Sequence, residues 1–141
     1  MMSRALNDLD SRLRPVAFEH IARCIEAKVP IMIVDTLRTE AEQIINVASG
    51  VSWTMKSKHL PQPPENKSLA YDLAPYEVYQ ADGPDKLNWN EDHPHWKIIG
   101  DIGVSLGLKW GVRKNNKLID LGHFEYVEMD TPSSGTALRG V

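Results

Sequence analysis

The stretch SKHLPQPPENKSLAYD, Ser57 to Asp72, carries a histidine and an aspartate in short segments on either side of a proline-rich loop. Leu69, Tyr71 and Leu73 alternate with Ala70, Asp72 and Ala74, which predicts a strand with Asp72 on the same face as two alanines. Small neighbours leave room beside a carboxylate for an ion and a substrate. Upstream, Val51, Trp53 and Met55 alternate with Ser52, Thr54 and Lys56, predicting a strand that leads into His59. One His and one Asp cannot close a metal site. A further ligand is on offer in Ile119 to Glu125, IDLGHFE, where Asp120, His123 and Glu125 crowd together. Two imidazoles and one carboxylate with an open fourth position form the ligand set of a catalytic zinc.

Around these two stretches the chain reads as a single domain of residues 1–129 followed by a small, polar, flexible tail, 130–141. Leu6, Leu9 and Leu13 predict a short helix over residues 3–13, and Pro15 starts a second one. Its apolar stripe is Ala17, Phe18, Ile21, Cys24 and Ile25, with Cys24 a small core residue and His20 a structural or surface histidine beside it. Ile31 to Val34 is a continuous apolar run, predicting a strand covered on both faces. Thr39 with Glu42 forms a capping box, and Ala41, Ile44, Ile45 and Ala48 make the core face of the helix that follows. Arg38 sits in the turn between that strand and helix, where loops commonly present functional groups.

Residues 76–93 have no clear period and read as a long surface loop. Pro94 starts a helix whose inner face is Trp96, Ile99, Ile102, Gly103 and Leu106, and Gly107 ends it. His93 and His95 form a rival pair of metal ligands, without the further partners zinc needs. Asn115-Asn116 is a turn, and residues 118–127 a last strand. In a plain strand Asp120 and His123 point to opposite faces, so a bulge at Gly122 is expected to bring them together. The fold class is α+β: a small antiparallel sheet carrying the zinc site, packed against helices.

Composition excludes several classes. One cysteine rules out an internal disulfide framework, and no apolar run is long enough for a transmembrane segment. A net charge of -3 gives no reason to expect a nucleic-acid partner. The charged N-terminus has no apolar core of a secretory signal peptide. A product made in the host cytoplasm is expected, reaching the wall in the periplasm after the membrane is permeabilised.

These residues resemble the zinc peptidases that cut bacterial cell-wall peptides. That family includes D-alanyl-D-alanine carboxypeptidases and dipeptidases, and the L-alanyl-D-glutamate endopeptidases used as phage endolysins. Its Ser-x-His and Ala-x-Asp motif is met by Ser57-Lys58-His59 and Ala70-Tyr71-Asp72, and its acid-x-x-His-Phe-Glu motif by Asp120 to Glu125. Gly107-Leu108-Lys109-Trp110-Gly111 resembles a further family segment, and Leu37-Arg38-Thr39 with Gln43 its arginine turn and helix. Two departures stand out: a longer spacing between His59 and Asp72, and Val112 where a second glycine is usual.

The resemblance implies Zn2+ held by His59, Asp72 and His123, and Asp120 as the general base. Glu125 competes for the base role, or orients His123 instead. Arg38 is implied as the group that stabilises the oxyanion or holds a substrate carboxylate, and Ser57 as a substrate-binding residue or a support for the metal site. The implied partner is a peptidoglycan stem peptide, cut by a monomer. Lack of a signal favours the L-Ala–D-Glu bond and a phage or prophage lysis enzyme over a D-alanyl-D-alanine carboxypeptidase. From another class, a non-catalytic zinc-containing wall-binding or phage structural module remains open.

Overall fold

A computed structural model describes residues 3–50, 55–78 and 86–128. Among the described residues three α-helices, α1 (Arg14–Glu26), α2 (Glu40–Ala48) and α3 (His95–Ser105), accompany five strands: β1 (Ile31–Asp35), β2 (Ala70–Glu77), β3 (Lys86–Leu87), β4 (Lys109–Lys114) and β5 (Lys117–Glu125). The strands pair antiparallel in the order β1-β2-β5-β4, with β3 on the far part of β2. The α+β expectation holds.

Strand parity places the site. Tyr71, Leu73 and Phe124 are fully buried and join Leu9, Leu13, Cys24 and Ile99 in the core with α1 and α3. Their neighbours Asp72 and His123 are therefore on the opposite face, directly paired across β2 and β5. Gly103 permits this packing, since a Cβ there would lie 2.5 Å from the Phe124 ring.

The predicted helix over 3–13 is corrected: only Leu6–Asp8 forms one turn of 3-10 helix, while Leu9 bridges to Ser68. Asp10 is the cause. Its carboxylate accepts from the backbone N–H and the guanidinium of Arg12, a local partner that competes with helix. Leu9 and Leu13 are buried all the same. On α1 the inward residues are Ala17, His20 and Cys24, whereas Phe18 and Ile25 face solvent. β1 is an edge strand whose Ile31 to Val34 are only half-buried, so the reading of two covered faces fails.

The capping box of Thr39 and Glu42 is present. Its helix is rotated from the expected face: Ala41, Ile44, Ile45 and Ala48 are exposed, and Gln43 is the buried residue. Of the strand expected before His59, residues 51–54 lie outside the described residues, while Met55 and Lys56 are not in a strand and His59 is in a turn. Part of the expected 76–93 loop is strand, because Tyr76 and Glu77 pair with Leu87 and Lys86. The tail from residue 130 also lies outside the described residues. At the last hairpin Asn115 and Asn116 both take positive φ (53° and 64°), the conformation a tight two-residue turn requires.

Candidate metal centre and active site

Three side chains from separate parts of the chain converge at the centre of the sheet. His59 comes from the turn after Ser57, Asp72 from β2 and His123 from β5. One possible ligand atom from each lies within 4.8 Å of the others, and no other such group of three occurs among the described residues. Asp72 Oδ1 is 3.1 Å from His59 Nε2 and 3.1 Å from His123 Nδ1. The rings of His93 and His95 adjoin, centroids 4.5 Å apart and planes tilted by 59°, with His93 Nε2 3.4 Å from Glu77, and no third ligand joins them among the described residues.

Each imidazole is oriented from behind. His59 Nδ1 donates to the Thr36 carbonyl at 2.7 Å, so the proton is on Nδ1 and Nε2 is turned to the site. His123 Nε2 donates to Glu125 Oε1 at 2.9 Å, leaving Nδ1 for the site. This partnership between ring nitrogen and carbonyl or carboxylate is what fixes metal-binding histidines. The donor set, two nitrogens and one carboxylate oxygen with their outer partners in place, fits a divalent ion such as zinc. Ser57 supports the turn: its Oγ accepts from the His59 backbone N–H at 3.1 Å.

Charge is concentrated here. Burial acts to raise the Asp72 pKa, but His59 and His123 outweigh it and hold the carboxyl well below the usual range. Burial acts to lower the His123 pKa, and hydrogen bonds to Asp72 and Glu125 reverse this, raising it to about 10. Partial desolvation and the charge of Asp72 push Asp120 up, although its side chain still reaches solvent. Glu125 moves down despite its burial, through His123, Lys58 and Lys109. The two candidate bases are thus separated by environment: Glu125 is engaged with His123 and Lys58, and Asp120 is the carboxyl with a raised pKa.

The bulge that brings Asp120 to this side is not carried by Gly122. The β4–β5 register breaks between Trp110 and Val112, and the positive φ values belong to Gly111 (62°) and Asp120 itself (56°). Asp is among the few side chains that tolerate this conformation. Gly122 serves a different need, since a Cβ there would lie 2.4 Å from the Leu73 carbonyl oxygen.

Arg38 is buried, with its guanidinium donating to Gln43 Oε1 at 2.6 Å and to Asp35 Oδ2. Its backbone N–H donates to the His59 carbonyl at 2.8 Å, tying the arginine turn to the ligand turn. Asp35 sits opposite Asp72 in the sheet and its pKa is raised, burial being the largest cause. Sequence reading missed Asp35, Thr36 and Lys58. An acid ending an apolar strand just before Arg38 was a usable signal for Asp35. A backbone carbonyl such as that of Thr36 leaves no sequence signal.

With this geometry in hand, comparison with known proteins is decisive. The family described as phage L-alanyl-D-glutamate peptidase matches over residues 2–127. The chain belongs to that family. It is a hydrolase of peptidoglycan, acting on the L-Ala–D-Glu link of the stem peptide. The fold of this chain is similar to that of a solved structure, the L-Ala D-Glu endopeptidase ChiX of Serratia marcescens. The two share 20% identity and a TM-score of 0.61, over 90% of this chain and 89% of the other. Among curated proteins nothing matches. No helix among the described residues is long and apolar enough to cross a membrane.

Proposed function

We propose that the chain is a zinc-dependent L-alanyl-D-glutamate endopeptidase in which His59, Asp72 and His123 hold the ion. The carrying observation is the convergence of these three ligand atoms beside Asp120, an acid of raised pKa, within a family that cuts this bond. Residues 1–129 act as one catalytic domain, and the working form is a monomer. It reaches murein from the cytoplasmic side once the membrane is permeabilised, as a phage or prophage lysis enzyme.

When bound, zinc supplies Lewis-acid polarisation of the scissile carbonyl and acidifies water toward neutral pH. Asp120 takes the proton of the attacking water and delivers it to the departing D-Glu nitrogen. Partial desolvation and the charge of Asp72 support that role by raising its proton affinity. Arg38 faces the developing oxyanion, or a carboxylate of the substrate. Asp35 and Gln43 hold its guanidinium in place, so little reorganisation is needed. Ser57 positions His59 through the backbone. Glu125 orients His123 and is not the base.

The test joins chelation with one substitution. Murein hydrolysis should stop in chelator and return with zinc, while Asp120→Asn should lose about 100-fold or more of its turnover and keep its zinc. Undiminished lysis by the Asn variant would move the base elsewhere. A folded, zinc-loaded protein without any cleavage would instead favour a wall-binding module.

A further inference from the structure

On the reading of the chain as an L-alanyl-D-glutamate endopeptidase, the substrate carries negative charge beside its scissile bond. A glutamyl residue has two carboxyl groups, and the peptide continues from only one of them. The other stays free within a few bonds of the departing nitrogen, and a side-chain or terminal carboxylate further along offers the same chemistry. The metal face is itself rich in acids, with Asp72, Asp120 and Glu125 close to the ligands, so a substrate carboxylate needs a cation within reach. Arg38 follows β1, on one side of the ligand strands β2 and β5. On the other side lies β4.

Lys109 of β4 is on the metal face. The register opposes Lys109 to Glu125 and Trp110 to Phe124. Trp110 stacks on the fully buried Phe124, with centroids 6.4 Å apart and planes 3° from parallel, so strand alternation turns Lys109 to the opposite face with Glu125. Glu125 is the hydrogen-bond partner of His123 at 2.9 Å, which identifies that face. Directly opposed residues have Cβ atoms about 5 Å apart. The charge of Lys109 is felt there: burial acts to raise the Glu125 pKa, and His123 outweighs it with help from Lys58 and Lys109. Of these two lysines Lys58 is already engaged, donating to the Tyr126 carbonyl at 2.9 Å and lying 3.5 Å from Glu125. Lys109 is exposed and, among the described residues, makes no hydrogen bond or close ion pair. Its ammonium is a point charge with three donors on a flexible stem, one strand away from a metal ligand.

We propose that Lys109 anchors a free carboxylate of the stem peptide on the β4 side of the metal site. It is thereby a specificity-determining residue, favouring peptides whose carboxylates are ionised over those in which they are amidated.

The test uses the zinc-loaded full chain and three synthetic stem peptides: one with every carboxylate free, one amidated only on D-Glu, and one amidated only at the carboxylate further along. The wild-type enzyme should lose about fivefold in kcat/KM, through KM, on at least one amidated peptide, and the position that matters identifies the carboxylate held. Lys109→Met should show that loss already on the fully ionised peptide and no further loss on amidation. Lys109→Arg keeps the charge and should keep the discrimination, and zinc affinity should be equal in all three proteins. A wild-type enzyme indifferent to amidation at both positions would overturn the anchor. So would a Lys109→Met enzyme that loosens zinc and slows every peptide in equal proportion, since Lys109 would then act only through Glu125. Cleavage of the peptides at some bond other than L-Ala–D-Glu would instead remove the endopeptidase reading on which the anchor rests.

Discussion

Glu125 decides which nitrogen of His123 is free for the site. It accepts from Nε2 at 2.9 Å and is itself 3.5 Å from Lys58 Nζ, which also donates to the Tyr126 carbonyl at 2.9 Å. Lys58 lies between Ser57 and His59, so one side chain ties the turn bearing one histidine to the strand bearing the other. Removing the carboxylate in Glu125→Ala should lower zinc affinity by about 10- to 100-fold, measured by competition with a chromogenic chelator, and Glu125→Gln should recover part of it. Unchanged affinity in the Ala variant would contradict this orienting role. The cluster of His59, Asp72 and His123 was legible because Ser57-Lys58-His59, Ala70-Tyr71-Asp72 and His123-Phe124-Glu125 are local patterns in the chain. The choice between Asp120 and Glu125 was not legible. It depends on which carboxyl the fold pairs with an imidazole.

At the scale of elements, the β5 bulge brings the acid and the ligands together. Sequence reading expected an irregularity between Asp120 and His123 and located it at Gly122, whereas Gly111 and Asp120 carry it. Two glycines near one bulge cannot be told apart without knowing which strand each opposes. Gly122 admits the close approach of Leu73, where β2 and β5 cease to pair. Gly122→Ala should therefore cost about 2 kcal/mol or more in denaturant unfolding and loosen zinc binding as well. A neutral substitution would contradict the 2.4 Å approach. Turn and cap signals translated well, as Thr39 with Glu42 and Asn115-Asn116 attest, because their partners lie within a few residues. The face of α3 translated well, with Trp96, Ile99 and Gly103 buried, whereas the face of α2 did not. Gln43 turns inward to accept from Arg38, and no periodicity announces a buried glutamine.

For the whole molecule, two buried histidines set the pH range of the metal-free protein. The His123 pKa is raised to about 10, so its stabilisation is complete below the unfolded value of about 6.5 and is lost as pH rises toward 10. Burial lowers the His20 pKa, although its hydrogen bond to the Ile99 carbonyl opposes this. With its other nitrogen 2.6 Å from the Tyr71 hydroxyl, His20 stays neutral in the core. The unfolded chain gains a proton there below pH about 6.5 that the fold refuses, so stability falls with pH by up to about 1.4 kcal/mol per unit. Urea midpoints in chelator should peak near neutral pH and decline on both sides. With zinc the alkaline decline should disappear, because a ligating imidazole has already given up its proton. A flat acid limb would mean that His20 accepts its proton within the fold.

The central claim is a metal-dependent cut between L-Ala and D-Glu, and mass analysis of fragments released from purified murein tests it most directly. Digestion should yield muropeptides ending in a free L-Ala carboxylate and peptides beginning with a new D-Glu amino group, both abolished by chelator. Release of single D-alanine, or of the same fragments in chelator, would contradict the account.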